Sequence, residues 1–240
     1  MEMKKVELPV VEIFNSISGE GISAGEIVTF VRLAGCNLRC DYCDTVYSYR
    51  DREHELLTPQ QIINKINNFG SQQLICTGGE PLEEDKPKRY LPLYLAKQGF
   101  KVRIETNGSW PIYNQQEFQK FEVDGEDINY TLDIKCPSSN MVEYNLFSNL
   151  TKLSLNDEIK FVVKGKSDID YALKVIDDYK DELSEEKIVI NFSPVFEELA
   201  PKKLVSILQE HQTYFTQSNL KVRLSIQLHK LIWNSEAKGV

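Results

Sequence analysis

No stretch of this sequence approaches the length of an apolar membrane span. The segment from Met1 to Pro9 lacks the apolar core and cleavage site of a secretory signal. Positive charge is in deficit: 28 Lys and Arg stand against 36 Asp and Glu, a net charge of −8. That balance excludes a broad nucleic-acid footprint, while a small anionic ligand held by a few local basic groups stays possible. Part of the acidic excess is local, at 177–186, and reads as a solvated helix face. Only three histidines and five cysteines occur, and three of the cysteines are crowded together. An odd, clustered set is not the framework of a secreted disulfide domain and fits a reducing compartment. Repeats, low-complexity tracts and linkers are absent, so 240 residues are expected to form one domain, 1–240. A soluble, cytoplasmic protein that engages neither membrane nor nucleic acid is the expectation.

What is present is an ordinary globular composition, 41% hydrophobic and 27% charged. Strand-like runs are read at 10–14, 26–33, 73–76, 101–105, 129–134, 158–163, 187–192 and 221–226, with a polar loop at 15–21. Helical patterns lie at 59–69, 90–97, 169–179 and 202–209. The first is opened by Thr58-Pro59, is closed by Gly70, and places Ile62, Ile63, Ile66 and Phe69 on one face. Residues 108–127 read as an irregular connection with a helical turn. Alternating strands and helices imply βαβ units and a mostly parallel sheet. Each chemically suggestive cluster follows a strand, where barrel and open-sheet α/β enzymes place their sites.

The densest of these clusters is Gly35-Cys36-Asn37-Leu38-Arg39-Cys40-Asp41-Tyr42-Cys43-Asp44-Thr45. Three thiols at this spacing suit an iron–sulfur cluster with one iron left open, or a zinc site with a remote fourth ligand such as His54. Cys76 and Cys136 read as small buried hydrophobes. Further strand ends carry Thr77-Gly78-Gly79-Glu80-Pro81, Glu105-Thr106-Asn107-Gly108, Asp133-Ile134-Lys135 and Asn191-Phe192-Ser193-Pro194. Taken singly, these are also a chain reversal, an Asn-Gly turn, a surface ion pair and core packing.

The spacing of Cys36, Cys40 and Cys43, with Tyr42 just before the last thiol, resembles the motif of the radical S-adenosylmethionine (SAM) enzymes. The resemblance implies an α/β fold, a partial, open parallel β/α barrel of about six βα units. It implies a 4Fe-4S cluster held by Cys36, Cys40 and Cys43 in a loop at 35–45, with SAM bound at the open iron. One electron then cleaves SAM to a 5′-deoxyadenosyl radical. Gly78, Gly79 and Glu80 resemble that superfamily's Gly-Gly-Glu motif and would meet the methionine part of SAM. Tyr42, Cys43, Asp44, Glu105, Asn107, Asp133, Ile134, Lys135, Asn191, Ser193 and Pro194 would complete the cofactor site, Glu105 toward ribose and Lys135 toward the SAM carboxylate.

The flanks of the motif are more specific. Glu12-Ile13-Phe14, Ser18-Gly19-Glu20-Gly21, Gly25, Arg32, Cys43-Asp44-Thr45 and the tail Ser225 to Lys230 with Trp233 resemble the 7-carboxy-7-deazaguanine synthases. That implies radical ring contraction of 6-carboxy-5,6,7,8-tetrahydropterin with loss of ammonia, a step in queuosine biosynthesis. Substrate contacts would come from Ile17, Ser18, Gly19, Glu20, Arg32, Thr77, Gln227 and His229, and the 225–240 tail would close the site. Thr45 would hold Mg2+ through a hard hydroxyl oxygen; its plainer role is a capping hydroxyl. A homodimer and a reducing partner such as flavodoxin or ferredoxin are implied too. Ser18 departs from the family's Gln, and the chain runs on past His229, where some members end in a substrate-binding carboxylate. Two other functions remain to be separated: a glycyl-radical enzyme activase, and a zinc-stabilised binding module without catalysis.

Overall fold

The computed structural model describes residues 3–49, 53–235 and 237–240. Met1 and Glu2 of the stretch read against a signal peptide, and Glu236 of the expected tail, lie outside the described residues. An antiparallel pair opens the chain, β1 (Leu8–Ile17) and β2 (Ile27–Leu33), with the short β3 (Glu55–Leu57) on the outer side of β1. Helix α1 (Pro59–Asn67) leads to β4 (Gln73–Gly78), α2 (Leu91–Lys97) to β5 (Lys101–Thr106), and α3 (Gln115–Phe121) to β6 (Ile128–Ile134). Then come β7 (Glu158–Val163), α4 (Lys166–Asp178), α5 (Lys180–Glu185), β8 (Val189–Pro194), α6 (Pro201–Glu210), α7 (Gln212–Gln217), β9 (Lys221–Leu224) and α8 (Leu228–Ile232).

The strands form one sheet in the order β3-β1-β2-β4-β5-β6-β7-β8-β9. From β2 to β9 every neighbouring pair is parallel. This is the expected open barrel, with an antiparallel extension at β1 and β3. The β6–β7 crossover is made of 3-10 turns rather than an α-helix.

Period-two alternation gives the sheet two unlike faces. Val31, Leu33, Leu74, Cys76, Val102, Ile104, Leu132, Ile134, Ile159, Phe161, Ile190 and Phe192 belong to the main core, packed with helix residues such as Ile62, Leu95 and Ile176. The alternate positions carry Arg32, Thr77, Glu105, Asp133, Lys160 and Ser193, which line the interior cavity. Apolar burial on one face therefore drives folding, while the other face is left to chemistry.

Local sequence explains most element boundaries. Thr58 caps α1 in a reciprocal capping box with Gln61, and Pro59 takes the first turn. Phe69 is a correction: α1 ends at Asn67, and Phe69 is 44% exposed instead of sharing the apolar face. The polar loop expected at 15–21 begins later, because Asn15 donates to Val28 O and Thr29 Oγ1 and pairing with β2 continues to Ile17. The last strand stops at Leu224, so Gln227 and His229 sit at the start of α8 and not on the strand. Within 108–127 a full helix forms, capped by a second reciprocal box, Asn114 with Glu117.

Candidate active site

The C-terminal ends of the parallel strands surround a cavity of about 1090 Å3. Its wall includes Cys36, Cys40 and Cys43, all unpaired and partly exposed. The loop that carries them is fixed at its root by its neighbours. Gly79 N donates to Leu33 O and Glu80 N to Gly35 O, both at 2.8 Å. A Cβ on Gly78 or Gly79 would collide with the backbone of Leu33 or Gly35, and Gly78 has φ +119°, so both glycines serve this close approach. Glu80 is fully buried, and its carboxylate accepts from Leu82 N, Thr106 Oγ1 and Asn107 N. It ties the β4 end to the β5 end, and its side chain does not line the cavity. Asn107 lies on the cavity side, donating to Asn37 Oδ1 at 3.1 Å and to Cys36 Sγ at 3.6 Å.

The donor set fits an iron–sulfur cluster. Three soft sulfurs face one cavity, and a cluster takes one thiolate per iron, spread more widely than the ligands of a single ion. Among the described residues, no three of His, Cys, Asp and Glu are gathered about one ion position. His54 is exposed and does not line the cavity. Burial raises the Cys36 thiol pKa, partly offset by the Leu38 amide, and lifts Cys40 to about 11 against the pull of Lys135. Lys135 is buried, which disfavours its charge, yet Asp133 at 3.0 Å holds its pKa above the ordinary lysine value. Asp133 Oδ1 is buried with no partner among the described residues, an acceptor left open for a ligand donor. Thr77 Oγ1 donates to Glu105 Oε2 at 2.7 Å, which aims that carboxylate along the wall.

The opposite wall is built by the loop between β1 and β2. Glu20 accepts from Ser193 Oγ at 2.8 Å and pairs with Lys160 Nζ at 3.3 Å. Lys160 also lies 3.9 Å from Asp133, so one buried ammonium joins the two halves of the cavity. Burial opposes that charge, but Glu20 and Asp133 keep the Lys160 pKa above the usual value. Gly19 packs under the imidazole of His229, where a Cβ would collide with Nδ1. Burial lowers the His229 pKa, against the raising effect of Glu20. Ser18 turns inward, its hydroxyl 2.9 Å from Ser23 Oγ, so it closes the loop rather than reaching the cavity. Arg32 binds Glu12 through Nε at 2.7 Å, and Tyr47 donates to the same oxygen at 3.1 Å. Asp44 accepts from Gln227 at 3.0 Å and Lys230 at 3.1 Å, joining the cysteine loop to α8. Thr45 and Pro194 line the cavity, with Thr45 Oγ1 3.8 Å from Cys43 Sγ.

Ile134 faces the helices, and Asn191 is buried, donating to Glu158 at 2.6 Å. Ile17 and Tyr42 line the cavity. Sequence reasoning missed Lys160. Lys160 carried a signal, a lysine amid the apolar residues Ile159, Phe161, Val162 and Val163 of a strand. Lys230 and Lys238 fell within the tail expected to close the site, without a role of their own.

Comparison with known proteins gives a consistent result. Residues 30–135 match the Radical SAM superfamily. The chain is 37% identical over 232 residues to 7-carboxy-7-deazaguanine synthase of Clostridium acetobutylicum, covering 96% of this chain and 98% of the relative. It is 35% identical over 263 residues to the 7-carboxy-7-deazaguanine synthase of Leptospira interrogans, covering 99% and 100%. The crystal structure of QueE from Escherichia coli superposes with a TM-score of 0.65 at 23% identity, covering 92% of this chain and 94% of that one. That of Streptococcus suis SuiB bound to S-adenosylmethionine reaches 0.52 at 14% identity and covers 80% of this chain but 44% of its own.

Proposed function

The chain belongs to the 7-carboxy-7-deazaguanine synthase family of radical SAM enzymes, and from that premise we propose how its cavity divides the work. It is a carbon–nitrogen lyase of queuosine biosynthesis that makes 7-carboxy-7-deazaguanine from a pterin-type substrate. Cys36, Cys40 and Cys43 hold the 4Fe-4S cluster. When bound, the cluster and SAM would supply the one-electron chemistry that removes a hydrogen atom from 6-carboxy-5,6,7,8-tetrahydropterin.

The protein's own groups bind and orient. Asp133 Oδ1, open as an acceptor, takes an ammonium or ribose donor of SAM, and Lys135 beside it faces the SAM carboxylate. Glu105, aimed by Thr77, takes a ribose hydroxyl. Across the cavity Glu20 accepts from the row of N–H donors on the pterin's amino-pyrimidinone edge, its position set by Ser193 and Lys160. Arg32 keeps its planar fork for the substrate carboxylate while Nε is anchored on Glu12. His229, whose pKa burial lowers against the raising effect of Glu20, offers its ring to the substrate. Thr45 contributes a hard oxygen to Mg2+ at the substrate carboxylate. The reading includes a homodimer and a small electron donor such as flavodoxin or ferredoxin.

One observation carries the assignment: the three thiols and the Gly19–Glu20 loop, with His229, open onto the same cavity. Anaerobically reconstituted protein given SAM, reductant and the carboxypterin should release the ultraviolet-absorbing deazapurine and ammonia. Failure with a fully loaded cluster would count against the substrate and favour an activase acting on a protein. Thr45→Ala should keep the cluster and SAM cleavage but lose the dependence of turnover on Mg2+. Unchanged metal dependence would remove Thr45 from the site.

A further inference from the structure

Lys88 is 2% exposed, with its ammonium turned to the root of the cysteine loop. It lies in a 3-10 turn, Pro87–Tyr90, between the Gly-Gly-Glu segment and α2. Its Nζ donates to Ala34 O at 2.9 Å and to Gly35 O at 2.6 Å, the two carbonyls just before Cys36. Glu83 Oε2 lies 2.9 Å away. Two N–H groups are thus spent on backbone carbonyls, and the carboxylate faces the ammonium as an ion pair. Burying an ion pair is costly, and an apolar side chain of similar volume commonly replaces one without loss of stability. Packing alone therefore gives no reason for a charge at this position.

We propose that Lys88 is a positioning residue for the cluster, fixing the backbone ahead of Cys36 and setting its ammonium beside the cluster, where it favours the reduced form. The proposal rests on the reading that Cys36, Cys40 and Cys43 hold the cluster. Reduction adds one electron, delivered by a low-potential donor, and so one negative charge to the centre. A fixed cation in a poorly solvated site stabilises the added charge. Net charge and local hydrogen bonds are among the levers that set cluster potentials. Glu83 balances the ammonium, so removing either partner moves the local charge in opposite directions.

The test is a potentiometric titration, followed by electron paramagnetic resonance, of the anaerobically reconstituted wild-type protein and of Lys88→Met, Lys88→Arg and Glu83→Gln. Dithionite and mediators set the solution potential. In Lys88→Met the ratio of reduced to oxidised cluster at fixed potential should fall about tenfold, ~59 mV for a one-electron couple. Lys88→Arg should stay near wild type, and Glu83→Gln should shift the ratio upward. A Lys88→Met cluster that titrates with the wild type overturns the proposal. If Lys88→Met does not fold, Glu83→Gln decides alone: an upward shift supports the proposal, and no shift overturns it. A wild-type protein that takes up no iron overturns the three-thiol reading and this proposal with it, whereas iron uptake with unmoved potentials overturns this proposal alone.

Discussion

Gly19 is constrained by what lies above it and not by its own backbone angles. The imidazole of His229 occupies the space a Cβ would fill. Because that ring is a side chain and can swing, Gly19→Ala should displace His229 more than it unfolds the protein. We expect KM for the pterin to rise about tenfold, ~1.4 kcal/mol of binding, with cluster content and melting temperature near wild type. Steady-state kinetics with unchanged KM would show that His229 does not hold the substrate. Gly78 and Gly79 differ, since the atoms they would strike belong to backbone that has no such freedom. The sequence exposed all three glycines as candidates for ligand contact, but which neighbour each one accommodates is a property of the packed molecule.

The element that braces the open barrel is the β1–β2 loop. Ile22 N donates to Glu158 Oε2 at 2.8 Å, Gly21 N to Ser225 Oγ at 3.1 Å, and Leu228 N to Gly19 O at 3.0 Å. Glu158 is 1% exposed and accepts also from Thr131 at 2.7 Å and Asn191 at 2.6 Å, with Arg103 3.5 Å away. One carboxylate therefore joins β5, β6, β7 and β8 to the loop beneath Glu20. Glu158→Ala leaves the buried donors of Thr131 and Asn191 without their acceptor and strips the half-buried Arg103 of its carboxylate, so a loss of ~3–5 kcal/mol is expected. Denaturant unfolding of the variant checks it, and a loss below ~1 kcal/mol would mean that water replaces the carboxylate. The loop was legible as polar and glycine-containing. Its anchoring was not, because Glu158 lies 136 positions from Ile22 and reads locally as the first residue of a strand.

At the scale of the whole molecule, the C-terminal end of the chain comes over the cavity and meets the β1–β2 wall. Ser235, Ala237, Lys238, Gly239 and Val240 line it, and Lys238 Nζ lies 4.4 Å from the centre of the Tyr47 ring. Tyr47 in turn holds the Glu12–Arg32 pair on β1 and β2. Deleting 234–240 should leave iron uptake and SAM binding intact, because no tail residue touches the cysteines in the described contacts. It should raise KM for the pterin about tenfold, read by calorimetry or initial rates. Equal affinity in the truncated protein would show that the tail covers the site without contributing to binding. Among the described residues no helix is long and apolar enough to cross a membrane.

The sequence by itself determined what depends on near neighbours. Strand alternation, the Thr58 cap and the order of strands and helices are legible from short-range sterics and hydrophobic periodicity. A mostly parallel α/β sheet followed from them, and the open barrel from the resemblance carried by the thiol spacing. Only the tertiary structure decided how the side chains at those strand ends divide their work. Glu20 meets Lys160 across 140 positions and Lys230 meets Asp44 across 186. Glu80 turned inward to brace β4 against β5, and Lys88 reached back to the root of the cysteine loop. Each pairing is chosen by which groups the folded sheet leaves without water, so that a buried donor must find whichever acceptor the fold brings within reach. Nothing in the local sequence ranks those partners.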